Sequence, residues 1–266
     1  MTPITFNVNE ISAFVSRMWW PVLRIGGFVL AAPTTSEAAI PRMVKVLLTV
    51  SLTFLVAPMT QVPANLSIFS ADGMLAAVLE VLIGISIGMV VQVAFEALTF
   101  AGQSISLSMG LGFATLVDPQ RGAQTPVLGQ LFVILGTLTY LALNGHLMLI
   151  GSLVDSFKYM PIGNAHVDKD FFLMVVMWGA RVFDSGLLIA LPAVIALIIV
   201  NLALGVVTRA APQLNLFGIG FTITVLSGFF VLIVGLDGIM SGITTLINNA
   251  LMAVSDLIGS RVAGAH

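Results

Sequence analysis

The chain has no cysteine. Disulfides, thiolate metal sites and a cysteine nucleophile are therefore excluded. Charge is the second scarcity. Only 8% of the 266 residues are Asp, Glu, Lys or Arg, against about 25% in a soluble domain. No Lys or Arg occurs between Lys45 and Arg121, and Gly122 to Val154 contains no Asp, Glu, Lys or Arg at all. The net charge of −2 is too small to point to a nucleic-acid partner. Catalytic groupings are missing too. His146, His166 and His266 have no second histidine or carboxylate at metal-site spacing. Gly110-x-Gly112 lacks the third glycine of a dinucleotide loop, because Thr115 occupies that place. Neither a phosphate-binding Gly-x-x-x-x-Gly-Lys-Ser/Thr loop nor a Gly-x-Ser-x-Gly elbow is found. Enzymatic function is not expected, and no cofactor or metal is implied.

What is abundant is apolar surface. Hydrophobic residues make up 58% of the chain, and the mean hydropathy is +1.10. These values describe an all-α, polytopic membrane-type protein. A cleavable signal peptide is not expected, since Met1 to Glu10 carries no basic n-region.

The first apolar stretch runs from about Ile11 to Ala32. It holds Arg17 and Arg24 on one helix face, where they reach an interface or a polar neighbour. A second helix is expected from about Ile40 to Val56. A long one opens at Gly73 and passes Ala101. Glu80 and Glu96 lie in it without a basic partner nearby in sequence. On one helix they are about 24 Å apart, too far for a pair of catalytic carboxylates. Gly84-x-x-x-Gly88 permits close approach of another backbone. A single helix is expected from about Pro126 to Val154, with Asn144-Gly145-His146 inside it. That triplet reads either as a polar hinge or as side chains satisfied by adjacent helices. Phe171 to Val207 is too long for one simple span, and Pro192 predicts a kink. Arg181 and Asp184 can face each other three residues apart. Two further apolar runs, about Asn215–Leu236 and Ile239–Ile258, close the chain. Alternate loops carry nearly equal numbers of Lys and Arg, so charge assigns no orientation.

Between two of the longest apolar runs lies Ala101 to Thr125, rich in Gly, Ser and Gln. Gly110 and Gly112 weaken a helix there, and Pro119 disfavours helical geometry at Asp118. Such a broken segment is tolerated only when protein or a water-filled cavity surrounds it. Leu107, Met109, Leu111, Phe113, Leu116 and Val117 supply apolar surface able to fill a constriction. Asp118, Gln120 and Arg121 can bond at its rim. The competing readings are an ordinary interhelical loop, or part of a small transporter or ion channel with its own substrate path.

Several stretches resemble the FliR/SctT family of type III export-gate proteins. They are Trp20-Pro-Val-Leu-Arg24, Ile40-Pro-Arg-Met-Val-Lys45, Gly110-Leu-Gly-Phe-Ala-Thr-Leu-Val-Asp-Pro119, Asn144-Gly-His-Leu147 and Leu202-Ala-Leu-Gly-Val-Val-Thr-Arg-Ala-Ala-Pro-Gln-Leu-Asn215. They occur in the family's order, cover nearly the whole chain and look closer to the flagellar members. The resemblance implies one non-catalytic gate subunit spanning 1–266. Its N-terminal helices (1–124) end in a plug loop; a central hairpin (125–207) and a C-terminal hairpin (208–266) follow. The implied plug loop maps onto 106–122, with Ser106, Met109, Gly110, Leu111, Gly112, Phe113, Ala114, Thr115, Leu116, Asp118 and Pro119 as pore or plug residues. Glu80, Glu96, Arg181, Asp184 and Arg209 are assigned to subunit contacts. Implied partners are several copies each of FliP and FliQ, with FlhB around the gate and FlhA beneath it, membrane lipid, and unfolded flagellar subunits as cargo. The implied location is the bacterial inner membrane at the flagellar basal body, with much of the chain above the bilayer plane.

Overall fold

The computed structural model describes residues 8–36, 40–63, 66–68, 70–112, 127–163, 169–210 and 220–259. Among these, every regular element is helical. Helix α1 is Val8–Ala31 and a short α2 is Pro33–Ser36. Helix α3, Arg42–Val56, starts directly after Pro41, whose extended backbone (ψ 139°) forms its N-cap. It tightens into a 3₁₀ turn at Ala57–Met59. Helix α4, Ala71–Ser108, has 38 residues, which is about 57 Å of helix. Ser70 caps its start: the Gly73 amide donates to Ser70 Oγ at 3.0 Å, and Asp72 lies in the first turn.

Then come α5 (Val127–Ala142), α6 (Gly145–Tyr159), α7 (Lys169–Gly179), α8 (Arg181–Ala210), α9 (Phe221–Val234) and α10 (Leu236–Gly259). The single helix expected from Pro126 to Val154 is in fact two. Asn144 adopts the left-handed conformation (φ 54°, ψ 28°), which ends α5 and begins α6. Asn enters that region more readily than most residues, so one amide suffices to break an apolar run. The long run from Phe171 is also divided, but at Ala180; α8 is helical on both sides of Pro192. Among the described residues, four stretches are long and apolar enough to cross a membrane: Arg42–Met59, Ala71–Ser108, Lys169–Ala210 and Leu236–Gly259. The α5–α6 pair, counted as one broken span, makes a fifth.

The chain forms two compact units. The first comprises Met1–Gln92, Asn144–Trp178 and Ala250–His266. Here α1 packs on α3 and meets α4 backbone to backbone. A Cβ at Gly27 would come 2.5 Å from the Val81 carbonyl, one at Gly84 would strike the Arg24 carbonyl, and one at Gly88 would come 2.7 Å from the Ala32 nitrogen. Gly84-x-x-x-Gly88 is therefore a working helix contact. Trp178 Nε1 donates to the Val90 carbonyl at 2.8 Å, tying α7 to α4. The core includes Trp20, Ile25, Ile83, Ile87, Leu149 and Leu153.

The second unit comprises Val93–Leu143 and Gly179–Asn249. In it, Gly102 of α4 faces Gly129 of α5, and Gly186 of α8 lies on the Ala97 carbonyl. Two edge-to-face aromatic pairs, Phe95–Tyr140 and Phe100–Phe183, brace the same faces, with centroids 5.9 and 5.4 Å apart. α8 packs on α9. A cavity of about 610 Å³ opens between α8, α9 and α10, lined by Ile189, Pro192, Phe230, Val234, Gly242 and Asn249 among others.

Candidate functional site

The site is the C-terminal end of α4. An α-helix leaves its last four carbonyls without intrahelical partners. Here the chain satisfies two of them locally. Gly110 is left-handed (φ 78°), its amide donates to the Leu107 carbonyl at 3.0 Å, and the Leu111 amide donates to the Ser106 carbonyl at 3.1 Å. This pair of bonds is a Schellman cap with glycine at the position after the cap. The sequence Ser-Leu-Ser-Met-Gly-Leu thus encodes a sharp stop. Glycine, lacking a Cβ, takes the left-handed step at the lowest cost.

A third carbonyl is satisfied from elsewhere in the unit. Asn201 of α8 donates from Nδ2 to the Ser108 carbonyl at 3.0 Å. Its Oδ1 faces Thr224 Oγ1 of α9 at 3.2 Å, and that hydroxyl shares its proton with the Gly220 carbonyl at 3.0 Å. The next side chain, Met109, is fully buried and lies over Gly228 of α9. A Cβ there would come 2.5 Å from both Met109 Cγ and Cε, and 2.7 Å from its sulfur. Three helices therefore converge on two residues at the root of the loop.

Of the expected plug residues, Ser106 is buried in the last turn of α4 and Met109 is buried against α9. Gly110, Leu111 and Gly112 form the turn that follows and are partly exposed. Phe113, Ala114, Thr115, Leu116, Asp118 and Pro119 lie outside the described residues. Met109, expected as a pore or plug residue, packs with its thioether against Gly228.

The expected contact charges divide. Glu96, Arg181, Asp184 and Arg209 are exposed, and Arg181 and Asp184 do not pair with each other. Glu80 is 1% exposed and has its partner within the chain. Arg24, fully buried on α1, donates from Nε to Glu80 Oε2 at 2.6 Å and from Nη2 to Oε1 at 3.0 Å. Nη2 also reaches the Met160 carbonyl at 2.8 Å, and Nη1 the Ser156 hydroxyl at 3.1 Å. The guanidinium lies 4.3 Å from the Phe157 ring centroid. The cluster joins α1, α4 and α6 in the first unit. Arg17, the other basic residue of that face, donates to the Ala57 and Pro58 carbonyls at 3.4 and 3.3 Å. His146 Nδ1 and Tyr140 OH are buried without a hydrogen-bond partner, so the satisfied reading of Asn144-Gly-His146 does not hold for that nitrogen. Among the described residues, no three His, Asp or Glu side chains converge as metal ligands would.

Residues 15–250 match the family described as bacterial export proteins, family 1. The chain belongs to this family. Its relatives include the flagellar biosynthetic protein FliR of Escherichia coli (strain K12), 42% identical over 217 residues, 81% of this chain and 82% of the relative. FliR of Pectobacterium carotovorum subsp. carotovorum is 40% identical over 230 residues, 86% and 87% of the two chains. FliR of Bacillus subtilis (strain 168) is 30% identical over 215 residues, 80% and 83%.

As a member of the FliR family, the chain is a membrane-type component of flagellar biogenesis and protein export. The end of α4 combines a capped helix end, a glycine-flanked turn and a side-chain anchor. Asn201, Thr224 and Gly228 are the residues the sequence did not single out. One signal pointed to Asn201, an amide within an apolar helix, where polar side chains seek interhelical partners.

Proposed function

We propose that this chain is a non-catalytic subunit of the flagellar type III export gate, helping to form and close the channel through which unfolded flagellar subunits pass. The segment near 106–122 acts as the plug. The observation that supports this most directly is the end of α4. A membrane-length helix stops at a glycine cap whose root is anchored, while the turn after it is partly exposed. A loop held at its root and loosened by Gly110 and Gly112 can fill a constriction and still be displaced at modest cost. Leu111, Gly112, Phe113, Ala114, Thr115, Leu116, Asp118 and Pro119 form the plug, and Ser106, Met109 and Gly110 its base.

The gate is completed by several copies each of FliP and FliQ, with FlhB and FlhA adjoining it. It lies in the inner membrane at the flagellar basal body, much of the chain above the bilayer plane, as one subunit spanning 1–266. Glu96, Arg181, Asp184 and Arg209, all on the surface of the chain, make contacts with these neighbours. Deleting Gly110–Phe113 tests the reading: the gate should assemble in normal amount and leak ions or small solutes. Unchanged conductance in a fully assembled gate would refute the plug.

A further inference from the structure

The turn Gly110–Leu111–Gly112 has little stiffness of its own, so its position is decided by what holds the residues before it. There the hold is specific. The Ser108 carbonyl is taken by Asn201, which is in turn oriented by Thr224. Met109 is fully buried with its thioether across Gly228, where even a methyl group would collide with it. The contacts come from α8 and α9, and they act on consecutive residues, Ser108 at the end of α4 and Met109 just after it.

We infer that Asn201, Thr224 and Gly228 form a latch on the root of the loop, and that this latch keeps the channel closed. Met109 is the tongue of the latch, a positioning residue, and does not itself block the passage. Separation of α8 and α9 together from the end of α4 breaks both contacts and frees the turn that follows Met109. The inference rests on the plug reading above and adds the device that sets the plug.

The test uses the gate assembled from the host's own export subunits with four forms of this chain. They are the Gly110–Phe113 deletion, Asn201→Asp, Gly228→Ala, and Gly228→Ala combined with Met109→Ala. Ion conductance is normalised to the amount of assembled gate. Asn201→Asp keeps the shape but sets a carboxylate against the Ser108 carbonyl. Gly228→Ala fills the slot, and Met109→Ala removes what the new methyl strikes. Loss of one such contact corresponds to roughly a fivefold to tenfold change in the displaced population. We expect a leak of about that size in both single variants and its reversal in the double variant. Closure as tight as the unaltered gate in either single variant, or a Gly228→Ala leak that Met109→Ala fails to reverse, overturns the latch. If the deletion leaks in that same series, the plug reading stands. A deletion that stays tight overturns the plug reading and the latch with it.

Discussion

Arg24 has no counterpart near it in sequence, yet it is the most fully engaged side chain described. Its guanidinium meets a carboxylate, a hydroxyl, a carbonyl and an aromatic face, all without solvent. A buried pair of this kind adds little over apolar packing of the same shape, but losing one partner strands a buried charge, at about 3–5 kcal/mol. Arg24→Met alone strands Glu80 and should lower the thermal midpoint of the assembled complex sharply. Arg24→Met with Glu80→Leu should recover much of that loss. Equal midpoints for the single and double variants would mean that the pair is not coupled. The identity of the partners was not legible beforehand: Arg24 and Glu80 are 56 positions apart, and Arg24 and Ser156 are 132. The sequence marked Glu80 as a carboxylate in search of a partner, and only folding supplied one.

At the scale of the element, the end of α4 was the most readable feature of the chain. Gly110 and Gly112 marked a break, and the helix ends within two residues of it. The reason is local: a Schellman cap depends on the left-handed step of one residue and on its own neighbours. Gly110→Ala should cost about 1 kcal/mol at that step, whereas Gly110→Asn should cost less, because Asn tolerates the conformation. Hydrogen exchange in the assembled complex would report this as faster exchange of the residue-110 and Leu111 amides in the alanine variant than in the asparagine variant. Equal protection in the two would argue against the cap. The break at Asn144 was less readable, because Asn inside an apolar run signals a satisfied side chain as readily as a left-handed turn.

At the scale of the whole molecule, each unit presents apolar side chains outward. In the first unit Met43, Val46 and Leu55 of α3 are more than half exposed, as are Leu188, Ile199, Leu202 and Val206 of α8 in the second. Such faces require lipid or protein against them. Expressed alone and extracted in detergent, the chain should be heterogeneous, and co-expression with the other gate subunits should yield a discrete complex by native mass spectrometry. A monodisperse monomer that moves a solute into liposomes would favour an independent transporter. The sequence by itself determined the membrane-type helical composition, the family and the place where α4 stops. These follow from residue types and from spacings within a few turns. Tertiary structure alone decided that Glu80 serves Arg24, that Met109 is an anchor over Gly228, and that Asn201 completes the end of α4. Pairings across tens of residues are set by which helix faces meet, and no local pattern records them.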